Sequence, residues 1–394
     1  MNKQYDYIIA GAGCAGMSLL MRMVIDPFFA SKKILVLDAD DKQQNDRTWC
    51  FWETKPDLFE SIVHHQWTKL DFYSNHYSSE LSIDPYIYKM IRGLDFYNYV
   101  KTNASASPNI EWRKASVKKL VESSKFLDHS NKLRNNEIAG VELVDGEIIY
   151  AEYVFSSILF EPIKAAADEY HFLQHFKGWE IKAATDCFDS SKAVFMDFRV
   201  GQEQGTTFMY VLPTSANTAL IEYTLFTEKL LADDDYNAAL KKYIAEQLQI
   251  NYYEILHEEK GVIPMTTKKF SYAKGRNIFI GIAGGQAKAS SGYAFKFIQK
   301  RTTQLIEAIK KGKDLTYGKT MNDSKGHLYD AVLLHVLHHR KMPGDEIFAA
   351  IFKGNKASNV LAFLDNESSI LTDLKIMSSV PTGIFLPAAL KELL

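Results

Sequence analysis

The apolar positions in the first forty residues form two short continuous runs separated by one helical stretch. Tyr5-Asp6-Tyr7-Ile8-Ile9-Ala10 reads as a buried strand, and Lys33-Ile34-Leu35-Val36-Leu37 as a second, ending on Asp38. Between them the pattern from Met17 to about Ile25 is helical. Residues 94–103 form another short helical pattern, and Ile110-Glu111-Trp112 opens a β-rich section. Residues 140–150 read as a hairpin turning at Asp145-Gly146, and 153–157 as a strand returning to the first sheet. From about 175 to 260 the pattern changes to strands over 193–200, 207–212 and 219–226, spaced as an antiparallel meander, with a helix expected over 236–248. A short buried run from Asn277 then ends in glycines, a helix is expected over about 294–310, and residues 329–394 are mostly helical.

The turn between the first strand and helix is Gly11-Ala12-Gly13-Cys14-Ala15-Gly16. In such a unit Gly11 permits the tight turn, and Gly13 lets backbone N–H groups approach a pyrophosphate at the helix N-terminus. Gly16 lets the helix lie close on the strand, and Asp38 can hold ribose hydroxyls. The flanking strands and the acid make this a dinucleotide-binding unit. Its place at the start of the chain is common among FAD enzymes but does not separate FAD from NAD. Gly281, Gly284, Gly285 and Gly292 mark a second strand–turn–helix junction, where backbone donors can meet an anion or a flavin edge. Arg47 and Arg92 are candidates for phosphate or flavin contact, against a role in bracing loops.

A formal net charge of −2 offers no electrostatic case for nucleic acid. Cys14, Cys50 and Cys187 have no C-x-x-C spacing and suggest neither zinc nor a disulfide framework, so a reducing cytoplasm is the expected setting. The chain opens on a strand rather than a leader-like segment, and no run of eighteen apolar residues occurs. Trp49, Phe51 and Trp52 suit a core better than a pocket, and Asp197 with Arg199 suits an ion pair. His335, His338 and His339 share a helical face, read here as solvated; no metal site is expected. The segments 347–352 and 380–394 could lie in a membrane interface or pack in a core.

Asn45-Asp46-Arg47-Thr48-Trp49-Cys50-Phe51-Trp52 resembles a segment of bacterial lycopene β-cyclases. The likeness continues through 91–97, Gly178-Trp179-Glu180, 196–200, 210–213 and Leu220-Ile221-Glu222-Tyr223-Thr224. It resumes at Gly284-Gly285, at Ser291-Gly292-Tyr293 and in the tail at 347–348 and 363–365, so it covers nearly the whole chain in order. The resemblance implies an α/β fold: a Rossmann-type FAD-binding domain like that of aromatic hydroxylases, an antiparallel-sheet substrate domain and a helical tail. The corresponding division is 1–165 with 261–325, then 166–260, then 326–394. It also implies lycopene or a related linear carotenoid as substrate, reduced FAD as cofactor, NAD(P)H as electron donor, and peripheral attachment on the cytoplasmic side of a membrane.

Glu222 is then the candidate acid or base. In a strand it shares a face with Leu220, Thr224 and Phe226, neighbours that would desolvate its carboxyl and keep it protonated near neutral pH. Plant relatives carry two adjacent acids in this strand, whereas here Tyr223 follows Glu222. A flavin monooxygenase, a prenyl-group reductase and a flavin-binding carotenoid carrier are the competing readings.

Overall fold

The computed structural model describes residues 4–123, 126–127, 133–134, 137–315 and 321–393. Its first layer is a sheet whose parallel strands run in the order Asn277–Phe279, Ile148–Ser156, Tyr5–Ala10, Ile34–Asp38 and Ile110–Lys114. Ile8, Ile9, Ala10 and Leu35 to Leu37 are buried, as continuous apolar runs require of strands covered on both faces. The hairpin expected over 140–150 adds Ile138–Leu143 antiparallel to this sheet, and Gly146 takes φ +94° in its turn. The helices Cys14–Ile25, Gly93–Ala104 and Phe295–Lys310 pack together against the sheet in one core. The first begins at Cys14, three residues before the apolar periodicity starts, because the last residues of the glycine turn are already helical.

The second layer is a seven-stranded sheet in the order Tyr253–Thr266, His171–Ala183, Thr218–Thr227, Thr206–Pro213, Lys192–Asp197, Lys69–Tyr73 and Ser78–Ser82. It differs from the division at 166–260 in two ways. Its edge strand Tyr253–Thr266 runs past 260, and Lys69–Tyr73 joins from the nucleotide half, parallel to Lys192–Asp197. That pairing spans more than a hundred residues of sequence, and no local pattern announces it. The expected strand 193–200 stops at Asp197, where the fully buried carboxylate accepts Arg199 Nη2 at 2.7 Å and Tyr243 Oη at 2.7 Å.

Alternation along Thr218–Thr227 sends Ile221, Tyr223 and Leu225 to one face, against Tyr236, Leu240 and Tyr243 of the helix Asp233–Glu246. Leu220 and Phe226 point the other way into a larger core shared with Trp52, Trp67 and Phe195. Phe348 and Phe352 close that core against Phe198 and Phe72, so the segment 347–352 is interior rather than a membrane face. His335 is also interior, bonded at Nδ1 to Tyr170 Oη at 2.7 Å and Glu392 at 3.0 Å, which corrects its placement on a solvated face. Only His338 and His339 of that trio are exposed.

A small sheet, Thr48–Glu53, Ile87–Arg92 and His65–Trp67, bridges the two layers. Lys89 in its middle strand is buried and held by Glu53 at 2.8 Å and by Glu60. Removing one partner of a buried pair leaves the other charge uncompensated. Lys89→Met is expected to cost about 3 kcal/mol, read as a lower urea midpoint at unchanged slope.

Candidate functional site

The two glycine turns meet. Gly11 takes φ +100°, and a Cβ at Gly16 would lie 2.0 Å from Gly11 O, so only glycine lets the helix approach the strand this closely. A Cβ at Gly281 (φ +62°) would sit 3.0 Å from Ala15 Cβ and 3.5 Å from Ser157 Cβ. The second turn is thus packed directly on the first.

Around this junction lies a cavity of about 440 Å³ lined by Gly13, Cys14, Ala15, Arg47, Trp49, Gly281, Gly292 and Ala294. It continues to Cys50, Tyr88, Tyr210, Leu212, Leu220, Glu222 and Tyr293 on the side of the antiparallel sheet. On the other side of the first turn a second cavity, about 350 Å³, is lined by Ala12, Asp38, Lys101, Trp112 and Arg113. The Gly11–Gly13 turn therefore stands between two spaces, the arrangement needed to hold an extended dinucleotide at its pyrophosphate.

Several features fit such a ligand. A Cβ at Gly13 would meet nothing within 4 Å, so protein packing does not account for this glycine. The helix that begins there has no side-chain cap and no acid in its first turn, which leaves its positive end open to an anion. Gln174 is buried with Oε1 unpartnered, and that atom lies 2.0 Å from where a Gly292 Cβ would stand. It faces the larger cavity as an acceptor awaiting a donor.

The remaining candidates are placed unevenly. Asp38 lines the smaller cavity and fixes the turn, accepting from Ala12 N at 2.6 Å and Asp40 N at 2.8 Å. Arg47 lines the larger cavity and pairs with Asp46 at 2.8 Å. Arg92 pairs with Asp95 at 2.8 Å at the start of its helix and lines neither of these two cavities. Gly284 and Gly285 border a separate space of about 460 Å³ on the far side of their turn, and Gly281 N is taken by Gln286 Oε1 at 2.6 Å. Their role is to shape the turn; Gly281 and Gly292 are the residues of this group that reach the cavity. Trp49 lines it too, whereas Phe51 and Trp52 are core.

Glu222 closes the sheet side of the cavity. Its Oε1 accepts the Thr224 hydroxyl at 2.7 Å. Burial raises its pKa above the ordinary carboxylate range, and the neighbouring Glu259 carboxyl raises it further, against a small lowering by Thr224. Around it stand phenols and a thiol: Tyr210 bonds Tyr293 at 3.1 Å, Trp52 packs edge-on to Tyr293 at 4.7 Å, and burial pushes Cys50, Tyr88, Tyr210 and Tyr293 upward. These shifts favour the neutral form of all four, so they offer the acid polarisable, uncharged neighbours.

Glu259, Tyr88, Tyr210 and Cys50 were not singled out from sequence as site residues. In Tyr253–Thr266, Glu258 is exposed and Glu259 buried, a period-2 contrast that can be read only once the covered face is known.

A lycopene cyclase protein family model matches residues 6–388. Solved structures sharing the fold include a geranylgeranyl bacteriochlorophyll reductase-like protein from Thermoplasma acidophilum, 12% identical, covering 100% of this chain and 99% of that one at TM-score 0.61. A flavin-dependent brominase is 9% identical over 96% of this chain and 98% of its own at TM-score 0.62. The p-nitrophenol 4-monooxygenase of Pseudomonas putida is 11% identical over 99% and 98% at TM-score 0.57. A search of curated protein sequences finds no match.

Proposed function

Because this chain belongs to the lycopene cyclase family, we propose that it closes the linear ends of lycopene into β-ionone rings, giving β-carotene by way of γ-carotene. The observation that carries this reading is Glu222: a carboxyl whose pKa burial raises, at the end of a cavity shared with two glycine turns and lined there by Tyr88, Tyr210 and Tyr293.

The chemistry is an isomerisation. The Glu222 carboxyl donates its proton to C2 of the terminal alkene, leaving a tertiary cation at C1. The C5=C6 bond attacks C1, and a proton leaves C6 to give the ring, so atoms and electrons balance without net redox change. An alkene is a weak base, so the barrier falls mainly through stabilisation of the cation. Faces of Tyr88, Tyr210 and Tyr293 contribute about 1–2 kcal/mol each when water is excluded. Leu212, Leu220 and Phe176 keep that water out.

The donor set at the two turns fits FAD, which in its reduced form, with NAD(P)H as electron source, would supply an electron-rich ring able to stabilise positive charge. Ala12 to Ala15 would hold its pyrophosphate and Asp38 its ribose. Asp38→Ala is expected to weaken FAD retention about tenfold, a loss of about 1.4 kcal/mol, measured by equilibrium dialysis; unchanged affinity would remove Asp38 from the ribose site.

Peripheral membrane attachment on the cytoplasmic side belongs to the same proposal. Among the described residues no helix is long and apolar enough to cross a bilayer. Leu386, Leu390 and Leu393 of the helix Thr382–Leu393 are exposed, as are Ile370, Leu371 and Leu374 of the helix Ile370–Met377; Leu394 lies outside the described residues.

The test supplies purified protein with lycopene in liposomes, FAD and NADPH without oxygen. A product of unchanged mass bearing β-ionone rings supports the cyclase. A product that has gained hydrogen under these conditions, or oxygen once air is admitted, identifies a reductase or monooxygenase instead.

A further inference from the structure

Three strands place three residues in one row. Gly178 of His171–Ala183 is directly opposite Glu222 of Thr218–Thr227 on one side and Glu259 of Tyr253–Thr266 on the other. Strands two apart in a sheet are about 10 Å apart, too far for their side chains to meet across an ordinary residue. Gly178 removes the obstacle. A Cβ built there would lie 3.2 Å from Glu259 Cγ, a tight approach, and 3.6 Å from Glu222 Cγ, so the two side chains flank the same space from either side. Leu220 Cδ1, at 3.1 Å, closes the third side.

We propose that Glu259 is a positioning residue that acts with Glu222 as a two-carboxyl unit holding one proton, with Gly178 as the gap that lets them meet. The proposal rests on the cyclase reading for its chemical use, not for its geometry. Position 223 faces the opposite core, so the carboxyl that shares the row of Glu222 comes from Glu259, two strands away.

The groups facing each carboxyl are few. Glu222 meets the Thr224 hydroxyl, Cys50, Tyr210 and Glu259. Glu259 is buried, accepts the Thr48 hydroxyl at 2.8 Å, and feels Glu180 and Asp46 against Arg47. Thr48 also lines the cavity, so Glu259 is tied to the wall that the substrate would touch. Burial raises both carboxyls. When one ionises, its charge opposes loss of the other's proton, which keeps one acidic hydrogen in the site as pH rises. In the ring closure that hydrogen passes from Glu222 to C2, and the proton released from C6 restores it. The pair ends each cycle as it began.

The test is a pH titration of the flavin-loaded protein without substrate, following protonated-carboxyl infrared absorption against Glu222→Gln, together with the pH–rate profile in lycopene liposomes. Glu259→Gln preserves volume and the acceptor for Thr48 but removes the like charge. The Glu222 signal should then titrate about one pH unit lower, and turnover should lose about tenfold on the alkaline limb, with Glu259→Asp restoring most of it. Gly178→Ala should also lower the titration by spreading the carboxyls. If it unfolds, the Glu259 variants alone decide. An unmoved titration in Glu259→Gln overturns the proposal. A titration that moves as expected in a protein forming no carotenoid ring would keep the pair and overturn the cyclase reading.

Discussion

Glu222→Gln is expected to lose about three orders of magnitude in turnover, the upper part of the range for general acid catalysis, while binding FAD with wild-type affinity. The substitution is nearly isosteric, and the amide carbonyl can still accept from Thr224, so the strand and the cavity wall are retained. What disappears is the carboxyl hydrogen that faces the cavity: the surrounding phenols and thiol, far weaker acids to begin with, are raised by burial too and hold their protons. The direction of the shift at Glu222 also sets the pH dependence. A raised carboxyl pKa means the active acid is present at low and neutral pH and is lost as pH rises through the folded-state value. Stability follows the same sign. With its folded-state pKa raised by desolvation, Glu222 takes nothing from stability below the unfolded pKa, and stability falls as pH rises through the raised value. Glu222→Gln should therefore unfold at a higher urea midpoint than the native protein above pH 8, while being nearly inactive. Full turnover in this variant, by anaerobic assay with quantified flavin, would remove Glu222 from the chemistry.

The limits of reading this chain from sequence follow from what is local. The dinucleotide unit was legible because each of its parts lies within forty residues and each has one physical purpose: φ +100° at Gly11, contact with Gly11 O at Gly16, an acceptor for the turn at Asp38. The face of Glu222 was legible because a strand's period is two. Arg92 could not be placed, since whether an arginine meets a cavity or the aspartate three residues on depends on the helix it begins. His335 looked solvated beside exposed His338 and His339. Its burial comes from Tyr170 and Glu392, which lie far away in both directions along the chain. Glu259 is the sharpest case. Nothing near it in sequence says that a glycine on the adjacent strand will bring it beside an acid two strands away, and only the register shows it.

Replacing Leu386, Leu390 and Leu393 together by Glu is expected to abolish binding to liposomes and reduce turnover of bilayer-dissolved lycopene about a hundredfold. These residues recur at i, i+4 and i+7, one outward stripe of Thr382–Leu393. The inward stripe, Ile384, Phe385 and Ala388, packs on Val332, Val336 and Ile347, so the helix is anchored without the leucines. Each loses about 1 kcal/mol of partial apolar burial in the headgroup region, and three such losses correspond to about two orders of magnitude in partitioning. The substitutions lie outside the two cavities at the glycine turns, so turnover of detergent-solubilised lycopene should remain near that of the unmodified protein. This split distinguishes substrate delivery from damage to the site. Equal losses in liposomes and detergent would mean that the stripe supports the fold. Undiminished turnover in liposomes would mean that the hydrocarbon enters by another face.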